Sequence, residues 1–270
     1  MLGQDVMTAA ARAGHHVIGL SRRELDVRDR GAVAAATASA RPDVVVNCAA
    51  WTDVDAAELE EEDATAVNGG AAGHVAAAAA AAGAFTVQVS TDYVFDGLAR
   101  EPYCESARTA PLGAYGRSKL AGELAVVGAA QDSHAIVRSS WLFGQHGGNF
   151  VATMRRLADE RDVLTVVDDQ VGCPTFTVHL ARALVTIAEQ RLPGVHHVAG
   201  AGACSWHDLA AAIFAATGTA VELTRGSTAD LGRPAPRPAY SVLRSERSDT
   251  PVLPAWQDGL RAYLELGVIA

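Results

Sequence analysis

The chain has 270 residues, 49% of them hydrophobic and 20% charged, enough for one large domain or a domain with a smaller lobe and wrong for a disordered chain. A formal net charge of −9 argues against non-specific nucleic-acid binding, although a cleft can still gather positive charge for an anionic substrate. Cys48, Cys104, Cys173 and Cys204 form no C-x-x-C pair, which disfavours a zinc or disulfide framework and suits a reducing, cytoplasmic home. With no apolar run of about 18 residues and no charged-then-apolar leader, neither a membrane span nor a signal peptide is expected.

Residues 4–13 read as a helix with Val6, Met7, Ala10 and Ala11 on one face, followed by a short apolar strand at His16–Leu20. Arg30–Ala40 is helical and stops at Pro42. Val44-Val45-Val46 is a β-branched run suited to a strand buried on both faces. A long helical stretch follows, acidic at Glu58–Asp63 and alanine-rich to Ala82, with Gly83 as its terminator. Phe85–Val89 is the next strand, 113–129 a long helix, and the residues around Ala135–Val137 another strand. Helices are expected at about 149–161, 177–190, 205–217 and 254–267, with strands at 163–167, 195–199 and 220–224. Gly232–Pro238, with three prolines, reads as an irregular connection.

Strands alternating with helices imply an α/β, Rossmann-like doubly wound parallel sheet with a smaller C-terminal substrate-binding lobe. Residues 1–145 are assigned to dinucleotide binding, and 146–270 mainly to the lobe, with some of its segments completing the sheet. Ligands of such sheets bind beyond the carboxyl ends of the strands. Ser21, Ala49–Thr52, Ser90–Tyr93 and Arg138–Trp141 all fall at such ends.

Two stretches carry the chemistry. Ser90-Thr91-Asp92-Tyr93-Val94-Phe95-Asp96-Gly97 ends a strand in hydroxyls and a carboxylate. Tyr115-Gly116-Arg117-Ser118-Lys119 places a phenol and an ammonium four residues apart, on one helix face. The phenol can transfer a proton while a hydride moves, if a nearby ammonium and a cofactor ribose lower its pKa from about 10. Tyr-x-x-x-Lys by itself is common, and a surface pair is the bland alternative; for Thr91 and Asp92 it is a cap or Asx-turn. Ser21-Arg22-Arg23 stands where NAD-preferring folds carry an acid, and a serine with a guanidinium suits a 2′-phosphate, hence NADPH; two solvated arginines are the bland alternative. Asp168-Asp169 reads as a loop turn, His196-His197 as packing, and Glu58–Asp63 as a solvated face.

These motifs resemble the extended short-chain dehydrogenase/reductases that act on nucleotide sugars, and more narrowly the dTDP-4-dehydrorhamnose reductase family. Asn47-Cys48-Ala49-Ala50-Trp51-Thr52, Arg138-Ser139-Ser140-Trp141, Asp169-Gln170-Val171-Gly172-Cys173-Pro174-Thr175 and Arg237-Pro238-Ala239-Tyr240-Ser241 extend the resemblance over nearly the whole chain. It implies hydride transfer from NADPH, or NADH, to the 4-keto group of a dTDP-4-keto-6-deoxysugar, giving dTDP-L-rhamnose from dTDP-4-dehydro-L-rhamnose. Tyr115 would donate the proton, Lys119 would partner it and hold the ribose, and Thr91 would bond the substrate oxygen. Asp92, Tyr93 and Trp141 would line the sugar site. Ala49, Ala50 and Thr52 would pass along the cofactor, and Asp26 and Val27 would lie near the adenine. A related sugar, or a non-catalytic regulatory subunit of the same fold, is the alternative. A homodimer is left open, and no metal ligands are assigned.

One part of the family pattern is missing. The family begins with a strand and a Gly-x-x-Gly-x-x-Gly turn, whereas this chain starts Met1-Leu2-Gly3, with Gly3 matching the last glycine. The expectation is that the start lies upstream of Met1. Without that strand, His16–Leu20 and Phe85–Val89 are expected to lose a shared neighbour, weakening the domain and its hold on the cofactor.

Overall fold

The computed structural model describes residues 1–267. Its main sheet has four parallel strands in the order β1 (Val44–Asn47), β2 (Phe85–Thr91), β3 (His134–Ser139) and, from later in the chain, Gly194–His197. α1 (Leu2–Arg12) packs with the helix Thr177–Gln190 on one face. There Phe85, Val87, Ala135 and Val137 meet Leu2, Val6, Leu180, Leu184 and Ile187. The other face carries α2 (Arg30–Ala40), α5 (Ala71–Ala81) and α6 (Ala114–Ala130). It is an α/β fold with a parallel sheet.

The alternation along β2 decides what each face can bury. Phe85, Val87 and Val89 turn to the apolar α1 side. Thr86, Gln88 and Ser90 take the opposite parity, and all three are buried. On β3, Arg138 shares their side and reaches Glu123 of α6. The α6 side of the sheet therefore buries polar groups: Gln88 pairs with Asn47 and Ser90 with Glu123, while Thr86 Oγ1 has no hydrogen-bond partner among the described residues.

α5 and α6 approach closely because their contact is made of small residues. Ala72, Ala76, Val126 and Ala130 form that seam. The stretch before α5 is not one helix. α3 (Val54–Leu59) breaks at Glu60, whose φ and ψ are −132° and 48°, and α4 (Glu61–Thr65) runs into a π turn at Ala66–Gly70. Gly83 ends the run with φ of +72°, a conformation other residues resist.

The His16–Leu20 strand does not form. Among the described residues no strand runs beside it to take its N–H and C=O groups, so it joins no ladder. Ile18 and Leu20 are 55% and 52% exposed, and Met7 lies against Gly19 instead of entering a core. The expected loss at Phe85–Val89 is also corrected: that strand is paired on both sides, in register with Val44–Asn47 and His134–Ser139. The open edge belongs to β1, whose three valines are only half-buried, not covered on both faces.

A second core lies beyond the sheet. β4 (Leu142–Phe143) is followed by α7 (Phe150–Glu160), which Asn149 caps through the Ala152 N–H. β5 (Val163–Val167) pairs with β10 (Glu222–Gly226), the latter shifted two residues from expectation. β6 (Val171–Gly172), β7 (Thr175–Phe176), α8 (Thr177–Gln190), β8 (Gly194–His197) and β9 (Cys204–Ser205) lie between them. α9 (Trp206–Thr217) starts in a Ser205–Asp208 capping box. Together with α10 (Trp256–Glu265) they enclose Phe143, Met154, Leu164, Phe176, Ile213 and Tyr263. α8 and β8 return to the first core. Among the described residues, no helix is long and apolar enough to cross a membrane.

A Cβ at Gly122 of α6 would stand 2.1 Å from the Asn68 carbonyl oxygen. Alanine normally stabilises a helix interior by roughly 1 kcal/mol over glycine, whereas here overpacking should cost about 1–3 kcal/mol. Gly122→Ala is therefore expected to lower the thermal midpoint, and an unchanged or raised midpoint would contradict this packing.

Candidate active site

α6 brings a polar stripe to the sheet. Tyr115, Lys119 and Glu123 recur every four residues and so share one face. Lys119 is only 4% exposed and its Nζ donates to the Val89 carbonyl at 2.7 Å. Glu123 accepts from Ser90 Oγ at 2.6 Å and forms a two-pronged pair with Arg138, at 2.9 and 2.7 Å. The Arg138 guanidinium also lies 5.3 Å from the centre of the Phe95 ring.

The N-terminus of α6 is fastened from outside. Glu58 accepts the Ala114 N–H at 2.6 Å, and Glu61 takes both prongs of Arg117. These two acids, expected on a solvated face, dock the helix that carries Tyr115. Asn68 adds an internal clamp from the π turn. Its amide donates to Trp51 O and Ser118 Oγ and accepts from Trp51 N, while Ser118 Oγ donates to Tyr115 O. The loop after β1 and the first turn of α6 thus share one buried amide, at a kind of helix irregularity often found at functional sites. Asn68 was legible only as a polar residue before two glycines in an alanine-rich helical run.

Thr91 and Tyr115 come together at the end of β2. The Thr91 hydroxyl favours the ionised phenol, but burial outweighs it and pushes Tyr115 up to about 12. The expected lowering by Lys119 is not what dominates here. Lys119 itself is pulled down to about 8 by burial, against the opposing effects of Glu123 and Cys48. Tyr93 stands edge-on to Tyr115 at 5.6 Å. Gly116 makes that approach possible, since a Cβ there would lie 2.2 Å from the Tyr93 carbonyl oxygen.

Asp92, expected to line the sugar site, is 2% exposed, and its carboxylate accepts from Thr91 Oγ1 and Ser241 Oγ, which braces the turn from inside. Trp141, with φ of +49°, stacks on Trp206 at 3.5 Å and covers Gly172, where a Cβ would strike the indole. Trp206, which the sequence did not single out, is held by Gln170 through its Nε1–H. Asp55 of α3 binds Arg237 through both guanidinium prongs and takes the Ala235 N–H, tying the proline-rich connection to α3.

The expected cofactor residues are more spread out. Ala49 and Thr52 are exposed and Ala50 half-buried, all just past the end of β1. Gly3 lies in the first turn of α1 beside Cys48, where a Cβ would make ordinary contact at 3.6 Å, so no steric demand for glycine is visible. α1 has no side-chain cap, which leaves its first N–H groups to a ligand such as a pyrophosphate. Arg22 is exposed, and the neighbouring Ser21 N–H is taken by Glu24 at 2.7 Å. Asp26 is bound by Arg28, which holds its carboxyl down at about 2, and Val27 packs on the Val33–Val75 cluster. The donor set fits a dinucleotide: free helix N–H groups, a guanidinium and a buried ammonium.

Two further polar clusters carry internal partners. Asp168 accepts from Ser205 Oγ and pairs with Arg225, while Asp169 holds Thr228. His207 and Asp208 approach Asp168, but Arg225 already supplies the positive charge there. His196 and His197 are both buried, bonded to Thr250 and to the Tyr103 carbonyl respectively.

A family model described as the RmlD substrate binding domain matches residues 1–268. The chain belongs to this family. It is 45% identical over 253 residues to a dTDP-4-dehydrorhamnose reductase of Streptomyces griseus, covering 92% of this chain and 82% of that protein. A dTDP-4-keto-6-deoxy-D-glucose reductase of Streptomyces niveus is 43% identical over 246 residues, covering 91% and 82%. Among solved structures, the dTDP-4-dehydrorhamnose reductase of Clostridium acetobutylicum superposes with a TM-score of 0.96 at 40% identity, covering 99% of this chain and 96% of that one. That of Bacillus anthracis, in complex with NADP, gives 0.95 at 35% identity, covering 98% and 95%.

Removing one side of the Glu123–Arg138 pair leaves a buried charge alone. Glu123→Ala should cost about 3–5 kcal/mol in denaturant unfolding. A loss below about 1 kcal/mol, the value of an exposed pair, would contradict the burial of this network.

Proposed function

We propose that this chain is an NAD(P)H-dependent reductase of the 4-keto group of a dTDP-6-deoxyhexulose, with dTDP-4-dehydro-L-rhamnose to dTDP-L-rhamnose as its leading reaction. The observation that carries the reading is one strand mouth holding a protonated phenol, a hydroxyl and a buried ammonium, in a chain whose relatives bear those reductase names. The Streptomyces niveus relative supports a second reading, in which a different dTDP-4-keto-6-deoxysugar is the substrate and the chemistry is the same.

NADPH, when bound, supplies the hydride. The chain's own residues handle the proton and the charge. Tyr115, held near 12, carries its proton at neutral pH, as a donor to a developing alkoxide must. Thr91 steadies the carbonyl oxygen. Lys119, near 8, is mostly charged at neutral pH, so it can hold ribose hydroxyls and stabilise the phenolate left by proton transfer. Trp141, backed by Trp206, walls the sugar site, and Tyr93 fixes the Tyr115 ring. Ser21 and Arg22 would take the 2′-phosphate, Asp26 and Val27 would lie toward the adenine, and Ala49, Ala50, Thr52 and Gly3 along the rest of the cofactor. The free thiols suit a reducing cytoplasm.

Tyr115→Phe should lower NADPH oxidation with a dTDP-4-keto-6-deoxyhexulose by about 10²–10⁴-fold while leaving NADPH binding, followed by fluorescence, almost intact. Turnover near the wild-type rate would overturn the reading. Arg22→Ala should weaken NADPH about tenfold or more, the worth of a charged hydrogen bond, and leave NADH unaffected. Equal effects on both cofactors would remove Arg22 from the 2′-phosphate site.

A further inference from the structure

Asp92 is buried in the same turn as the reacting groups, and its side-chain partners are both hydroxyls. Thr91 Oγ1 donates to Oδ1 at 3.0 Å, and Ser241 Oγ, from the far end of the chain, donates to Oδ2 at 2.5 Å. Among the described residues no lysine, arginine or histidine pairs with it. The titratable groups that feel its charge are Tyr93 in the same turn, Tyr115 on α6 and Cys173 in the loop before β7, none of them a cation.

Thr91 has one hydroxyl proton to give. Its oxygen already accepts from the Tyr93 N–H at 3.2 Å, and it stands beside the Tyr115 phenol. While Asp92 is ionised, the Thr91 proton is committed to the carboxylate and cannot be offered to a ketone. A neutral Asp92 reverses the bond.

We propose that Asp92 is a positioning residue whose protonation sets the polarity of Thr91: the neutral acid donates to Thr91 Oγ1 and frees the Thr91 hydroxyl to donate to the carbonyl oxygen of the sugar. This inference rests on the reductase reading above. Burial raises Asp92 to about 6, against the hydrogen bonds from Ser241 and Thr91 that lower it. A ketone that accepts from Thr91 can be bonded only in the donor form, so substrate binding itself favours the neutral acid. Ser241, through its hydrogen bond, sets how far that rise goes.

The test is the pH dependence of kcat for NADPH oxidation by the whole chain with dTDP-4-keto-L-rhamnose, with folding of each variant checked by thermal melting. Wild-type kcat should descend as pH rises through a value at or above about 6, below the pH near 8 where Lys119 titrates. In Asp92→Asn the amide donates to Thr91 at every pH, so the profile should become flat over that range whatever its height. Ser241→Ala withdraws a donor from the carboxylate, so the descent should move up by roughly one pH unit. An Asp92→Asn profile that keeps the descent, or a Ser241→Ala profile that leaves it in place, overturns the inference. If Asp92→Asn does not fold, Ser241→Ala decides it. Absence of NADPH oxidation by the wild type at any pH overturns the reductase reading and this inference with it, whereas Tyr115-dependent turnover with an unmoved descent overturns this inference alone.

Discussion

The structure depends on burying a polar helix face against a polar sheet face. Tyr115, Lys119 and Glu123 could not be packed on Val87 and Val137 without leaving charges unpaired at a cost of several kcal/mol each. They are packed instead on the side of β2 and β3 that carries Ser90 and Arg138, and on the backbone carbonyl of Val89. Every group in the stripe that would otherwise be stranded has a partner. The same arrangement fixes α6 in rotation and height, and so places the phenol at the mouth of β2.

The rest of the molecule serves that placement. Glu58 and Glu61 hold the start of α6, and Gly116 and Gly122 let its backbone come down onto Tyr93 and Asn68. Asn68 links the helix to the loop after β1, where a cofactor would pass. Beside the second core, Trp141 is clamped between Gly172 and Trp206. The Asp55–Arg237 pair and the Ser241–Asp92 bond tie the end of the chain across the site. Specific polar contacts thus fasten the 235–241 segment to α3 and to the turn after β2.

Much of this was legible from local pattern. Local composition located β1, β2, β3, α2 and α6 within a few residues, because the strands are short runs rich in β-branched residues and the helices are alanine-rich stretches. The neighbouring Thr91 and Tyr115 were found from their positions at a strand end and a helix start. His16–Leu20 failed because an apolar run becomes a strand only when another backbone pairs with it, and apolar spacing says nothing of who the neighbour is. Glu123 lay within reach of the same reasoning, one further step of four along α6, but a charge at that spacing reads as solvated until the facing Ser90 and Arg138 are known. Glu58, Glu61 and Asn68 were hidden for the same reason, since a polar side chain's partner is usually remote in sequence.

The sequence by itself determined the α/β class and the family, because these follow from the alternation of strand and helix runs and from the motifs at the strand ends. Only the tertiary structure decided which way the polar groups point. Asp92 turned inward to Ser241, 149 residues away, and Trp141 paired with Trp206. Burial set the phenol of Tyr115 above its ordinary pKa and the amine of Lys119 below. Desolvation and hydrogen-bond direction are properties of the assembled environment, and no local run of residues encodes them.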